Sequence, residues 1–335
     1  MNGKKPDFGT PEAIFGVGSA FQQSRVLITA AQLDLFTLLS SGPQSVQTLA
    51  ARLGANRRAL TRVLDAVVAM GLLEKSGETY RNTPAAQAFL VRGAPESMLA
   101  ALEHMGNMWE RWGRLTEIVR TGKPAALPRV DDRGDAFLES FLGAMDALAR
   151  HAAPQVAAAV GLSGVRRLLD VGGGAGSYAI AFARAEPALE AVVFDLPNVV
   201  PIAQRNIQKA GLAHRITTRA GDYHTDSLGS GFDLALLSAI VHSNTFEENA
   251  RLVRKCYQAL EPRGRLVIRD FIMSPDRTEP PAGALFAINM LVGTEGGGTY
   301  TEAEMREWME DAGFEGVHRV DLPGMNALMI GRRSR

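Results

Sequence analysis

The chain lacks several features that would assign a protein to a class at once. Its 335 residues include one cysteine, Cys256, which excludes an internal disulfide framework and a cysteine-rich zinc site. Cys256 lies in the helical pattern LVRKCYQAL, and this pattern predicts a buried structural thiol. Lysine and arginine number 36, as do aspartate and glutamate, so the formal net charge is +0. This balance gives no sign of a polyanionic partner or of a membrane surface.

Long apolar runs are missing as well. No stretch reaches the roughly 20 apolar residues that span a bilayer. The N-terminal sequence MNGKKPDFGTPEAIFGVG has no apolar signal core, so we expect a cytoplasmic protein without a membrane partner. The length allows two domains, and contents of 46% hydrophobic and 21% charged residues are ordinary for a globular protein.

Glycine, in contrast, is concentrated at one turn. The apolar residues of Leu168–Val171 predict a buried strand, and Asp170 is followed at alternate positions by Gly172, Gly174 and Gly176. Glycines after a strand allow the backbone to approach a ligand closely. The segment therefore predicts a ligand-binding turn between a strand and a helix.

A second strand suggests what the ligand contains. The apolar run Ala191–Phe194 ends at Asp195, where a carboxylate can bind the two hydroxyls of a ribose. An adenosine-containing cofactor fits, and two candidates compete. A nicotinamide fingerprint would need its third glycine at Ser177, and Asp170 would repel a pyrophosphate. S-adenosylmethionine has no phosphate and carries two positive groups, so an acidic glycine-rich turn suits it better.

Further strands follow, each ending in polar residues. The strand Ile216–Ala220 precedes Gly221-Asp222-Tyr223, where Asp222 is placed to accept from an adenine amino group and Tyr223 to stack on the ring. The strand Phe232–Ser238 leads to His242. Strands that alternate with helices predict an α/β fold, a mostly parallel Rossmann-like sheet of the class I methyltransferase type, with its ligand crevice at the carboxyl ends of the strands.

The two ends of the chain complete this architecture. Near the C-terminus, Gly316–Asp321 and Asn326–Arg332 predict two strands that add an antiparallel last strand to the sheet. Near the N-terminus, the helix Ser45–Leu53, a second helix after Asn56 and a hairpin at residues 74–84 predict a winged-helix domain.

The winged helix has two interpretations. Arg57, Arg58 and Arg62 on its second helix are compatible with DNA binding, or with a solvated face on a fold reused for protein contacts. The neutral net charge and the complete downstream cofactor site favour the second interpretation. The segment Ala13–Leu39 is predicted to be helical and is more apolar than a lone surface helix needs. We therefore expect a homodimer through the N-terminal helices and no nucleic-acid partner.

The region between the two domains carries two more predicted helices, Ser97–Val119 and Asp135–Val160, on either side of a loop at residues 121–134. Their methionines and aromatic residues fit a core or an apolar substrate pocket. We divide the chain into a winged-helix and dimerisation domain (11–95), a helical connector lining the substrate pocket (96–160) and a cofactor-binding methyltransferase domain (161–335).

Taken together, the motifs DVGGGAG, FDLPNV, GDY and AIVHSNTFEEN resemble those of the caffeate and acetylserotonin type of O-methyltransferase. The resemblance runs from about Pro11 to Arg333. It implies S-adenosylmethionine as cofactor, S-adenosylhomocysteine as product and a small aromatic acceptor, because bacterial members act on natural-product and polyketide phenols. The sequence has no cluster of metal ligands, so we expect a reaction without a metal ion.

The resemblance also implies roles for particular residues. His242 matches the family's catalytic histidine, a general base for the acceptor hydroxyl, and Asp270 matches an acid that orients it. The cofactor site predicted from the turn and the resemblance comprises Asp170, Gly172, Gly174, Asp195, Leu196, Gly221, Asp222, Tyr223 and Ser238. The predicted substrate pocket comprises His104, Trp109, Phe141, Met145, Asn289 and Met290.

The chain departs from the family pattern around the histidine. The family commonly follows it with an acid and a tryptophan, whereas Ser243 and Asn244 follow here. A second orienting glutamate is replaced by Thr299, in GGGTYT, with Glu295 nearby as a possible substitute. The family often has a lysine where Ser238 stands. These departures keep two alternatives to O-methylation open: C- or N-methylation, and a reaction of the cofactor other than methylation. The winged-helix pattern keeps a third open, a regulator that senses the cofactor or an aromatic ligand.

Overall fold

The computed structural model describes residues 8–124 and 134–335, and all structural statements below concern these residues. The chain divides into two units. The first ends at Trp109 and the second runs from Glu110 to Arg335, so the division falls within a helix. Among the described helices, none has the length and the apolar character that crossing a membrane requires.

The N-terminal unit consists of helices around a small antiparallel sheet. Its elements are α1 (Pro11–Ser19), α2 (Phe21–Gln32), α3 (Leu35–Leu38), β1 (Gln44–Ser45), α4 (Val46–Leu53), α5 (Arg57–Ala69), β2 (Leu73–Ser76), β3 (Thr79–Asn82), α6 (Pro84–Phe89) and most of α7 (Leu99–Gly113). The strands lie in the order β1-β3-β2. Ser45 and Asn56 cap α4 and α5 by accepting from the backbone N–H groups of Thr48 and Ala59. The predicted helix, turn, helix and hairpin are thus present.

Two observations add detail to the prediction for this unit: one concerns the helices of Ala13–Leu39 and the other concerns the arginines of α5. The segment Ala13–Leu39 is not one helix, because Asp34 adopts a left-handed φ of 52° between α2 and α3 and a second break separates α1 from α2. On α5, Arg57 is engaged by Glu78 of the hairpin at 2.6 Å. The core of the unit is formed mainly by leucines, with Phe36 and Tyr80 as its largest side chains.

The C-terminal unit is a seven-stranded sheet between helices. Its elements are α8 (Leu115–Thr121), α9 (Asp135–Val160), β4 (Arg167–Val171), α10 (Ser177–Ala185), β5 (Glu190–Asp195), α11 (Val200–Lys209), β6 (Ile216–Ala220), β7 (Phe232–Ser238), α12 (Phe246–Ala259), β8 (Leu260–Asp270), β9 (Ile272–Met273), α13 (Pro281–Gly293), β10 (Tyr300–Thr301), α14 (Glu302–Asp311), β11 (Phe314–Asp321) and β12 (Ala327–Arg333). A single 3-10 helix, Val241–Ser243, follows β7. The large sheet has the order β11-β12-β8-β7-β4-β5-β6.

The pairing in this sheet confirms the predicted fold class. Strands β4 to β8 pair in parallel, and β12 adds antiparallel to β8 with β11 outside it. Successive side chains of a strand point to opposite faces. In β7, Leu234 and Leu236 accordingly pack under α9 to α11, whereas Ala235 and Leu237 pack under α12 and α14. Both faces are covered, which is why the parallel strands read as continuous apolar runs.

Some predicted boundaries are wrong. The helix expected at Ser97–Val119 is interrupted at Arg114, whose ψ of 6° leaves the helical range, so that α7 and α8 are separate. The apolar pattern of Arg265–Phe271 predicts a strand over those residues, whereas β8 begins at Leu260 and ends at Asp270. Cys256 is fully buried on α12, and burial raises the pKa of its thiol to about 12, as expected of a structural residue. The loop expected at residues 121–134 lies mostly outside the described residues.

Candidate active site

The carboxyl ends of two neighbouring strands bring a histidine and an acid together. His242 lies on the 3-10 helix directly after β7, and Asp270 is the last residue of β8. Because β7 and β8 are parallel, with Ser238 opposite Arg269, both strands end at the same edge of the sheet. Nδ1 of His242 lies 2.9 Å from Oδ2 and 3.0 Å from Oδ1 of Asp270.

The environment of this pair assigns the histidine its tautomer. The side chain of Asp270 is 2% exposed, and Oδ1 also accepts from the N–H of Phe271 at 2.9 Å. A carboxylate facing Nδ1 favours the tautomer in which this nitrogen carries the proton, and in the neutral imidazole Nε2 is then a proton acceptor. The ring of Phe286 on α13 meets the imidazole edge-on with centroids 4.8 Å apart, and Phe271 lies 4.7 Å from Phe286. The imidazole thus has a carboxylate on one side and an aromatic wall on another.

The second expected acid is not found at this imidazole within the described chain. Thr299 is buried, and its carbonyl accepts from Nη1 of Arg277 at 2.7 Å. Glu295 is exposed and makes no side-chain hydrogen bond to a described residue, so the idea that it substitutes is wrong. Asp270 is therefore the one acid that contacts His242 in the part of the chain that the structure describes.

The glycine-rich turn shows why side chains are excluded there. Gly172 has a φ of 65°, and a Cβ at this position would overlap the side chain of Ile240. A Cβ at Gly173 would lie 2.8 Å from the carboxyl of Asp170. Such contacts are closer than van der Waals packing permits, so only glycine lets the chain pass between β4 and α10.

Asp195 is tied to the glycine turn. Its Oδ2 accepts from the N–H of Gly174 at 2.7 Å, and its Oδ1 accepts from the N–H of Leu196 at 2.7 Å. Burial raises the pKa of the Asp195 carboxyl, against the effect of these two bonds. The side chain of Leu196 packs in a small apolar cluster with Phe141 of α9. Leu196 therefore contacts Asp195 through its backbone and this cluster through its side chain.

Asp170 lies beneath the turn. It is 1% exposed and accepts from the N–H of Ala179 at 3.3 Å. Burial raises the pKa of this carboxyl to about 7, and the charge of Asp195 acts in the same direction. Neither of these acids, nor Asp222, has an ion-pair partner among residues 8–124 and 134–335. Acidic side chains without a cationic partner suit a positively charged ligand.

The segment after β6 closes the other side of the predicted cofactor site. Gly221 donates its N–H to the carbonyl of Asp195 at 2.9 Å, and a Cβ there would come 2.5 Å from the ring of Phe194. Oδ1 of Asp222 accepts from the N–H of His224 at 2.8 Å, which fixes the turn. Tyr223 lies beside the glycine turn. Its Cε1 would be 4.0 Å from a Cβ at Gly172, which is the outer limit of van der Waals contact.

The six predicted pocket residues fall in both units. In the C-terminal unit, Phe141 and Met145 are half-buried on α9, and Met290 is buried on α13. Oδ1 of Asn289 accepts from the indole N–H of Trp112 at 3.1 Å. Phe286, one turn before Asn289 and on the same side of α13, was missed, although its helical spacing from Met290 would have indicated it.

His104 and Trp109 lie on α7 in the N-terminal unit, where the guanidinium of Arg25 lies 5.4 Å from the ring centroid of Trp109. That these two residues share a pocket with the other four remains a prediction. Within the described ranges, no group of three or more histidine, cysteine, aspartate or glutamate side chains is placed to hold a metal ion.

Two family models match the chain. An O-methyltransferase domain matches residues 114–315, and an O-methyltransferase dimerisation domain matches residues 17–92. Together they account for both units and do not favour a transcription regulator.

Individual relatives are similar over nearly the whole chain. The 3-hydroxy-5-methyl-1-naphthoate 3-O-methyltransferase of Streptomyces sahachiroi is 36% identical, with 98% of this chain and 97% of the relative covered. The tetracenomycin polyketide synthesis 8-O-methyl transferase of Streptomyces glaucescens is 34% identical, with 97% of each chain covered. Human N-acetylserotonin methyltransferase, solved in complex with S-adenosylmethionine, has a TM-score of 0.87 and 26% identity, with 100% of both chains covered.

Proposed function

Because this chain belongs to the O-methyltransferase family and is an S-adenosylmethionine-dependent enzyme, we propose that it methylates a hydroxyl of a small aromatic or polyketide-like acceptor. His242 acts as the general base, and no metal ion takes part. The observation that carries the proposal is the contact between Nδ1 of His242 and Asp270, because it leaves Nε2 as the acceptor of a proton.

The residues at the glycine turn fit this cofactor. Asp170 and Asp195 lie at this turn and Asp222 follows β6, and none of the three has an ion-pair partner among the described residues, whereas the cofactor carries a sulfonium and an ammonium. We propose that the backbone of Gly172 and Gly174 lines the site, that Asp195 binds the ribose hydroxyls, and that Asp222 and Tyr223 contact the adenine. When bound, S-adenosylmethionine supplies an electrophilic methyl group on sulfur.

The chain's own contribution is to position the acceptor and take its proton. A phenol has a pKa of about 10 and a free imidazole one of about 6.5, so an oriented imidazole is a suitable base at neutral pH. The hydroxyl proton passes to Nε2 of His242, and the buried carboxylate of Asp270 stabilises the imidazolium that results. The products are the methyl ether, S-adenosylhomocysteine and the proton, which His242 then releases to water.

The aromatic wall beside the base supports an aromatic acceptor. Phe286 meets His242 edge-on, and Phe271 lies behind it. Aromatic rings pack favourably on such surfaces, and a flat acceptor that rests there presents its hydroxyl near the imidazole. The two Streptomyces relatives are named for a naphthoate and for a polyketide, so we propose a fused, hydroxylated aromatic acid or ketone as the acceptor class.

We further propose that the enzyme is a homodimer through its N-terminal helices. Helix α1 buries no residue within its own chain, and its side chains Ile14, Phe15 and Val17 are 60%, 77% and 60% exposed. Several large apolar side chains exposed on one helix are costly in water and are typical of an interface. The match of residues 17–92 to a dimerisation domain supports the same assignment.

Turnover of 3-hydroxy-1-naphthoate, followed by S-adenosylhomocysteine formation, tests the proposal. We expect His242→Ala to lower kcat about a hundredfold or more while calorimetry shows unchanged S-adenosylmethionine binding. His214→Ala, at an exposed histidine outside the site, is the matched control and should behave as the wild type. Activity should be the same in EDTA. If His242→Ala keeps full turnover, the assignment of His242 as the base is wrong, and a carbon or nitrogen nucleophile on the acceptor becomes the better hypothesis.

A further inference from the structure

A buried chain of hydrogen bonds runs from the predicted adenine side of the site to the turn that carries the base. The hydroxyl of Tyr223 donates to Oδ1 of Asn244 at 3.1 Å. Nδ2 of Asn244 donates to Oδ1 of Asn249 at 3.0 Å. Nδ2 of Asn249 in turn donates to the carbonyl of Val241, the residue before His242, at 2.8 Å.

Both amides are deeply buried and both are satisfied. Asn244 is 2% exposed and Asn249 is fully buried. Asn249 stands in the first turns of α12, a helix that begins with a capping box between Thr245 and Glu248, so its side chain starts from a well-fixed backbone. Buried polar groups that are all hydrogen-bonded make a local structure specific, because any other arrangement leaves one of them unpaired.

Other contacts hold the same turn from a second side. The hydroxyl of Tyr300 donates to the carbonyl of Asn244 at 2.5 Å, and the N–H of Gly298 donates to the carbonyl of His242 at 2.9 Å. A Cβ at Gly297 would overlap that carbonyl of His242. Burial raises the pKa of both Tyr223 and Tyr300 to about 12, so their hydroxyls are donors at neutral pH.

These contacts coincide with the two departures from the family pattern. Asn244 stands where the family commonly has a tryptophan, and Thr299 and Tyr300 stand where it has Glu-Arg. Among the described residues, Asp270 is the one whose side chain hydrogen-bonds the imidazole, and Phe286 only packs against its edge, so the backbone on which the ring is mounted supplies a further constraint. Asn244 accepts hydrogen bonds from Tyr223 and Tyr300 and donates one to Asn249.

We propose that Asn244 is a positioning residue for His242. It locks the turn 241–244 through Asn249 and Tyr300 and so compensates for the absent second carboxylate, and through Tyr223 it joins this turn to the cofactor side of the site. The proposal rests on the proposed function insofar as His242 is the base. Its structural content, that Asn244 fixes the orientation of the His242 ring, stands independently.

The test compares variants that remove particular hydrogen bonds of Asn244. Asn244→Ala removes its two side-chain bonds, with Tyr223 and Asn249, and keeps the backbone carbonyl that accepts from Tyr300. Tyr300→Phe and Tyr223→Phe each remove one hydroxyl while keeping the ring. Tyr257→Phe is the matched control, since the hydroxyl of Tyr257 bonds Ser334 at 2.7 Å outside this network. The readouts are the ¹⁵N signals of the His242 ring, identified by their absence in His242→Gln, calorimetric binding of S-adenosylmethionine, and kcat and KM with 3-hydroxy-1-naphthoate.

We expect Asn244→Ala to shift or broaden the His242 ring signals and to lower kcat about tenfold to a hundredfold, as small displacements of a base do, with KM and cofactor binding within about twofold. Tyr300→Phe and Tyr223→Phe should shift the same signals less, and Tyr257→Phe should not. The proposal is overturned if the His242 signals of folded Asn244→Ala match those of the wild type. If Asn244→Ala does not fold, the two tyrosine variants decide by the same criterion.

The spectra also separate this proposal from the proposed function. If the wild type methylates no phenol, or if His242→Ala stays active, the function assigned above is wrong, yet the His242 signals still show whether Asn244 orients the ring. If the signals shift in Asn244→Ala and kcat does not fall, Asn244 orients the ring without serving the reaction, and the positioning role is refuted.

Discussion

Nδ1 of His242 lies 2.9 Å from Oδ2 of Asp270, a residue 28 positions later in the chain. The parallel register of β7 and β8 creates this contact, because it ends both strands at one edge of the sheet. An imidazole held in this way presents Nε2 as the proton acceptor, and the carboxylate stabilises the charge that the ring gains. The candidate active site depends on this relationship, and the first prediction tests it.

Asp270→Asn should impair catalysis without weakening cofactor binding. An amide can face Nδ1 with either its oxygen or its NH₂ group, and it carries no charge to stabilise an imidazolium, so we expect kcat to fall about a hundredfold or more. The measurement is steady-state turnover of 3-hydroxy-1-naphthoate beside calorimetric binding of S-adenosylmethionine. Asp270→Glu, which restores the carboxylate that the family commonly has, should retain much more activity. Equal activity of the two variants would contradict the role of the charge.

Asp195→Ala should abolish or greatly weaken cofactor binding. The carboxylate is tied to the N–H groups of Gly174 and Leu196 and keeps free lone pairs for ribose hydroxyls. Because each lost hydrogen bond to a charged group costs about 1.5–3 kcal/mol, the Kd should rise at least about tenfold. Calorimetry measures this, and Asp321→Ala at an exposed acid is the control. Unchanged affinity in a folded Asp195→Ala protein would remove Asp195 from the site.

Asp170→Asn should stabilise the ligand-free protein at neutral pH. Burial raises the folded-state pKa of Asp170 from 3.8 to about 7. As the pH rises from about 4 to about 7, the unfolded chain releases this proton while the folded chain retains it, so the residue's contribution becomes increasingly unfavourable and then levels off. The stability of Asp170→Asn relative to the wild type should thus increase over this range, by about 2–4 kcal/mol in total.

Urea unfolding of the ligand-free protein at pH 5 and pH 8 measures this difference, with Asp321→Asn at an exposed acid as the control. If the free energy of unfolding of Asp170→Asn differs from that of the wild type by the same amount at both pH values, ionisation of Asp170 does not destabilise the folded state. Saturating S-adenosylmethionine should reduce the advantage of the variant at pH 8, because a bound cation favours the charged carboxyl.

Phe15→Asp combined with Ile14→Asp should convert the homodimer into monomers. Both side chains are mostly exposed on α1 in the single chain, and a charge in an apolar interface is poorly tolerated. Sedimentation velocity at micromolar concentration is the measurement. Met325→Asp, at a side chain that is 48% exposed in the C-terminal unit, introduces the same charge away from α1 and should leave the dimer intact. A dimer that survives the double substitution would locate the interface elsewhere.

Several parts of this protein could be predicted from local sequence because their causes are local. The run of apolar residues in β4, the glycines that follow it and the acid at the end of β5 each reflect a short-range requirement of backbone geometry or burial. The helix caps at Ser45 and Asn56 are local too. The alternation of strands and helices also has local causes, and the parallel sheet follows from it through the handedness and length of the connections.

Other parts were decided by the tertiary structure. The family resemblance named Asp270 as the acid that orients His242, but the contact itself depends on the register of two strands, and the exposure of Glu295 could not be predicted from its position along the chain. Asn244 accepts hydrogen bonds from Tyr223 and Tyr300, which lie 21 and 56 positions away along the chain. The sequence by itself determined the fold class, because periodicity carries it, and the resemblance of its motifs to the O-methyltransferase family indicated the cofactor and the candidate base. Only the packing of distant elements decided which side chains hold the base.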